Sequence, residues 1–133
     1  MMNIRQSGVI PYRPTEDGVE ILLITSSNGK QWIIPKGMIE FWLTPARSAA
    51  KEAWEEAGVI GRVITPSVGR YTAFKWGYVC LIEVFLMHVE SELQYYPEMD
   101  QRQREWMSFD KAIARVKNEE LKQLLITVKS QFE

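Results

Sequence analysis

The chain has 133 residues, enough for one core-forming domain and too few for a second module of similar size. Its 46% apolar and 25% charged residues exclude a disordered or fibrous protein. Sixteen basic against seventeen acidic residues leave a net charge of -1, so there is no summed positive field to hold a nucleic-acid backbone, and nucleic acid is not an expected partner.

In chain order, Ser7–Arg13 is a short apolar run closed by Pro14, Thr15 to Gly18 is rich in turn formers, and Val19–Thr25 resumes as a β-branched run. This pattern predicts strand, turn, strand. Ser26-Ser27-Asn28-Gly29 predicts a second turn, leading into a brief strand over Gln31–Ile34. Pro35-Lys36-Gly37 follows, and then a helix expected from about Pro45 to Ala57. Thr44 suits the N-cap, Pro45 suits the first helical position, where a missing N–H costs nothing, and Gly58 suits the left-handed residue that ends the helix.

Ile60–Ile64, Val68–Phe74 and Gly77–Val89 are rich in Val, Ile, Tyr and Phe and read as sheet, punctuated by Pro66, Gly69 and Gly77. The aromatic residues of Tyr71–Tyr78, with Trp106, are expected to pack the sheet. Cys80, the sole cysteine, is expected as a buried strand thiol. The longest apolar stretch, Tyr78–Met87, contains Glu83 and is too short to span a bilayer. With no charged-then-apolar leader pattern, the expectation is a cytoplasmic protein without a membrane partner. Glu90–Gln103 reads as a polar loop and Arg104–Phe109 as a last short strand. Ser108 is placed to cap a helix over Phe109–Val116, and Asn118 to start another whose Leu121, Leu124, Leu125 and Val128 share one face. A single α/β domain over residues 1–133, a mixed sheet between helical layers, describes the whole chain.

On the first helix, Glu52, Glu55 and Glu56 fall within about 100° of one another, while Ala46, Ala49, Ala50, Ala53, Trp54 and Ala57 take most of the opposite side. Three carboxylates on one side repel, so something should offset them. A solvated face neutralised by Arg47 and Lys51 would do so. A hard divalent cation, which takes oxygen ligands and shares them with substrate phosphates, would also do so. Gly37 just upstream can offer a backbone carbonyl at close approach, having no Cβ.

Residues 37–59 resemble the Nudix box: Gly, five residues, Glu, seven residues, Arg-Glu, an aliphatic residue, any residue, Glu-Glu, any residue, Gly, an aliphatic residue. Gly37, Glu52, Glu55, Glu56, Gly58 and Val59 match, whereas Leu43 stands for the first Glu and Lys51 for Arg. Trp32-Ile-Ile-Pro-Lys-Gly37, Arg104-Glu-Trp106 and Ser108-Phe-Asp-Lys-Ala112 are similar to the branch that hydrolyses diadenosine polyphosphates and diphosphoinositol polyphosphates. The resemblance implies a Nudix-type α/β/α sandwich with a mixed sheet, the loop-helix-loop of the box and a C-terminal helix. It also implies a Mg²⁺- or Mn²⁺-dependent pyrophosphohydrolase acting on a small-molecule polyphosphate, as a monomer or homodimer. Gly37, Glu52, Glu55 and Glu56 become the expected metal ligands. Glu56 is the favoured general base, with Glu52 second and Glu55 the further catalytic carboxylate. Arg5, Ser26, Ser27, Lys30, Lys36 and Lys75 become the expected substrate-binding residues.

In the family the first Glu and the Arg form an ion pair that braces the loop on the helix. Leu43 cannot pair with Lys51, so the brace is expected to be missing and turnover reduced. Glu98, Asp100 and Glu105 are further ligand candidates from the distal loop. Phe41-Trp42-Leu43 offers an apolar run for a nucleobase, a second subunit or the core. Nucleoside triphosphates, nucleotide sugars or RNA 5′ ends as substrates, or a non-catalytic Nudix-fold nucleotide binder, are the competing readings.

Overall fold

Alternation along two strands, β1 (Asn3–Thr15) and β2 (Gly18–Thr25), sets the layering. Val9, Leu22 and Ile24 belong to one buried cluster and Ile10, Ile21 and Leu23 to another, so the sheet carries an apolar layer on each face. The computed structural model, which describes residues 3–133, has the strand order β3 (Trp32–Ile33), β2, β1, β6 (Tyr78–Glu92), β5 (Val59–Lys75). Two further strands flank this path: β4 (Lys36–Met38) pairs with β1, and β7 (Arg104–Ser108) pairs with β2. β1 runs parallel to β6 from Asn3 opposite Val79 to Tyr12 opposite His88, and every other pairing is antiparallel, giving the expected mixed sheet.

Helix α1 (Pro45–Glu52) begins where expected, with the Thr44 hydroxyl accepting from the Arg47 N–H and Pro45 in the first turn. Ala49, with Ala53 and Ala57 beyond it, packs on Val9, Leu22, Phe85 and Met87, where only small side chains let a helix lie close. The other face is covered by α2 (Phe109–Arg115) and α3 (Glu119–Ser130), capped by Ser108 and Asn118. Leu121, Leu124, Leu125 and Val128 are all buried, as their periodicity predicts, and Cys80 is a buried free thiol.

One expectation is corrected. The first helix does not stay α-helical to Ala57: after Glu52 it widens into a π-helical turn, Ala53–Ala57, closed by Gly58 at φ 66°. The wider turn buries Glu56 beside Ala53 and Ala57 and leaves Trp54 exposed. The segments Ile60–Ile64 and Val68–Phe74 form one strand, β5, whose pairing with β6 shifts register between Ile64 and Gly69.

Candidate active site

The site is assembled where β4 is strapped to β1. Gly37 pairs opposite Ser7 and Lys36 opposite Gly8, and the Val9 N–H donates to the Pro35 carbonyl at 3.1 Å. A Cβ on Gly37 would run into the Glu52 carboxyl group, so the bare backbone at 37 is what lets Glu52 lie against it. Glu56, on the π turn, accepts the Lys36 N–H at 3.1 Å with Oε1, and its Oε2 lies 3.4 Å from Arg102 Nη2.

The three glutamates sit in unlike electrostatic settings. Burial first, then the charges of Glu56 and Glu55, pushes the Glu52 carboxyl up to about 7. Burial also raises Glu56, against the opposing pull of the Arg102 guanidinium and the Lys36 amide. Glu55 turns to Lys51, whose Nζ lies 2.5 Å from Glu55 Oε1 and 2.9 Å from Glu40 Oε1. These two hydrogen bonds raise the Lys51 ammonium, whereas burial lowers that of Lys36. Among the described residues no three carboxylate, imidazole or thiol groups form a preassembled metal cage. The donor set still fits a hard divalent ion that takes few protein ligands. It offers oxygen only, with two neighbouring carboxylates raised by burial and a glycine backbone beside one of them.

The loop before α1 is braced after all. Glu40 supplies the carboxylate that Leu43 lacks, and Lys51 joins it to Glu55 on the helix. The Glu40 N–H donates to the buried Ser48 hydroxyl at 3.1 Å, fixing the same loop from the backbone. Glu40, a carboxylate three positions upstream of Leu43 in the same loop, was the available signal.

A cleft of about 660 Å³ opens beside Glu56 and contains Ser26, Ser27, Lys36, Gly37 and Lys75 in its walls. Lys30 is exposed on the same turn but outside the cleft wall, and Arg5 lines a separate hollow of about 70 Å³ with Arg70 and Glu83. Glu52 and Glu55 lie outside the wall of the larger cleft.

Arg102, Gln6, Tyr71 and Asn118, which the box does not mark, also line the cleft. Arg102 is held at 3.0 Å by Glu98 and donates to the Thr25 carbonyl at 3.1 Å, and only the i, i+4 spacing to Glu98 marks it in the sequence. Of the distal-loop carboxylates, Glu98 faces Arg102, Asp100 is exposed, and Glu105 pairs with Lys111 and Arg115. The aromatic expectation holds for Tyr71, which is buried, but not for Phe74 and Trp76, exposed at 75% and 86%. Phe41 and Trp42 stand in solvent, stacked edge to face at 4.8 Å, and do not cover the core.

With this geometry in view, the NUDIX domain model matches residues 2–126, and the chain belongs to the NUDIX family of hydrolases. It is 30% identical over 138 residues to "Nudix hydrolase 16, mitochondrial" of Arabidopsis thaliana, covering 90% of this chain and 76% of that protein. Several further Nudix hydrolases of that plant are longer, and this chain spans 55% to 64% of their length. A shorter match, 44% identical over 50 residues, covers 37% of this chain and 28% of diphosphoinositol polyphosphate phosphohydrolase 2 of Rattus norvegicus. The fold is that of the C. elegans Ap4A hydrolase crystal structure, with a TM-score of 0.81 over 99% of this chain and 100% of the other at 18% identity. Among the described residues no helix is long and apolar enough to cross a membrane.

Proposed function

We propose that the chain is a divalent-metal-dependent pyrophosphohydrolase that cleaves a phosphoanhydride of a diadenosine polyphosphate or a diphosphoinositol polyphosphate. The observation that carries this reading is the Glu52 carboxyl group, pushed up to about 7 against the side-chain-free backbone of Gly37, with buried Glu56 next to it and a cleft beyond. Glu52, Glu56 and the Gly37 carbonyl are assigned as the ligands of Mg²⁺ or Mn²⁺, with Glu55 as a further carboxylate. Such an ion supplies neutralisation of phosphate charge and acidification of the attacking water. Glu56 takes the proton of that water at a carboxylate oxygen, with Glu52 the second choice for this role.

Lys36, lowered by burial, and Lys75 are assigned to the phosphate chain, with Ser27 donating its hydroxyl from the facing turn and Ser26, whose hydroxyl donates to Asn28 Oδ1 at 2.6 Å, ordering that turn around the phosphates. Lys30 and Arg5, outside the cleft wall, are assigned to more distal phosphates. A cytoplasmic site of action is part of the proposal. Some plant relatives carry "mitochondrial" or "chloroplastic" in their names, and cell fractionation is the check.

Incubation with Mg²⁺ and a panel of polyphosphates, followed by chromatography of the products, tests the activity. Cleavage that Glu56→Gln abolishes supports the proposal. Tight binding with no product under either metal would leave the non-catalytic binder as the correct reading.

A further inference from the structure

The far end of the cleft has a different chemistry from the carboxylate end. Its wall is the tip of the β5–β6 hairpin, Phe74, Lys75 and Trp76. Lys75 pairs opposite Tyr78, so the turn consists of Trp76 and Gly77 alone, and both have positive φ, 51° and 80°. This two-residue geometry ordinarily takes Asn or Gly at its first position. A tryptophan held there, 86% exposed, is an outlier that local folding does not require. Lys75 Nζ stands 4.8 Å from the centre of the Trp76 ring, so the tip presents a cation and an aromatic surface together.

The interior of the cleft adds polar groups without partners. Gln6 Oε1 and the Tyr71 hydroxyl are buried and have no hydrogen-bond partner among the described residues, and both side chains belong to the cleft wall. Cations in that wall are few: Lys36, Lys75 and Arg102, the last already engaged by Glu98 and Glu56. An inositol ring carrying phosphates on most of its carbons calls for many cations and offers nothing to an exposed indole.

We infer that Phe74, Lys75 and Trp76 form the specificity element of this cleft, taking a planar nucleobase against the aromatic side chains and its adjoining phosphate on Lys75. The inference rests on the hydrolase reading above and selects the dinucleotide over the inositol substrate.

Calorimetric titration of the full chain with Mg²⁺ tests it with two non-cleavable probes, α,β-methylene-ADP and methylenediphosphonate, which differ by the nucleoside. The nucleotide probe should bind at least about tenfold tighter. Phe74→Ala and Trp76→Ala should each weaken it roughly five- to a hundredfold and leave methylenediphosphonate unchanged. Trp76→Tyr, which keeps a π face, should retain most of the affinity. Both positions are exposed, and thermal unfolding checks that each variant folds.

Equal affinity for the two probes, or an equal loss of both in the variants, would overturn the inference while leaving the hydrolase reading intact. So would tighter binding of inositol hexakisphosphate than of the nucleotide. A Trp76→Ala variant that splits a dimer in sedimentation without changing nucleotide affinity would reassign the tip to subunit contact. Failure of both probes to bind in the presence of Mg²⁺, together with no cleavage of any polyphosphate, would remove the hydrolase reading, and this inference with it.

Discussion

The loop-facing and sheet-facing edges of the Nudix helix carry the same residue type and treat it differently. On the loop side Lys51 stands between Glu40 and Glu55, and each carboxylate has a cation within 2.9 Å. On the sheet side Glu52 has Gly37 for a neighbour, and Glu56 has a backbone amide with a more distant guanidinium at 3.4 Å. The first edge ties the loop to the helix. The second keeps negative charge poorly compensated in a partly desolvated place, where a cation from solution gains most. Carboxylates of one short motif thus sit in unlike electrostatic surroundings.

Breaking the sheet-facing edge should have the largest consequences. Glu56→Gln is expected to lower the hydrolysis rate by about 10²- to 10⁴-fold, as loss of a general base does, with the fold retained in circular dichroism. Gly37→Ala puts a Cβ where the Glu52 carboxyl group lies, so it should weaken Mn²⁺ binding on the order of 10- to 100-fold in a metal titration. Unchanged metal affinity in that variant would mean that the Gly37–Glu52 approach has no part in holding the ion.

The pH dependence of stability sharpens the contrast further. The folded-state pKa of Glu52 is raised from 4.5 to about 7, so the folded protein holds this proton more tightly than the unfolded chain. The resulting stabilisation is fully present below pH 4.5 and is lost as pH rises through 7. Without metal, the melting temperature should therefore fall across this window. Glu52→Gln should flatten the fall, and Mg²⁺ should reverse it increasingly toward the upper end. A metal-free profile identical in wild type and Glu52→Gln would remove the electrostatic account of this edge.

The loop-facing edge should respond more weakly. Lys51→Met strands Glu40 and Glu55, but the group is half-exposed and screened, so the expected loss is about 0.5–1 kcal/mol in denaturant unfolding, shrinking at high salt. Smallest of all should be Leu43→Glu with Lys51→Arg, the change that restores the family's usual pair. Because Glu40 already provides the brace, stability and turnover should move little, within about 0.5 kcal/mol for the former. A large gain in turnover would show that the Glu40 contact does not substitute for the missing pair.

Periodicity, caps and motif spacing were enough to read the layered architecture, because they act over a few residues. Alternation in β1 and β2 sorts apolar residues to two faces, Thr44 and Gly58 bound the Nudix helix, and Leu121, Leu124, Leu125 and Val128 mark one side of α3. The box spacing likewise puts Gly37, Glu52, Glu55 and Glu56 on one short stretch of loop and helix. Tertiary structure decided what each charge faces. The widening to a π turn, the Glu40–Lys51 contact across the loop, the arrival of Arg102 at Glu56 and the exposure of Trp76 all depend on segments far apart in the chain, or on backbone that departs from ideal α geometry. Local pattern reports which residues share a side of a helix. Only packing determines which carboxylates are held closely by a cation and which are left weakly compensated.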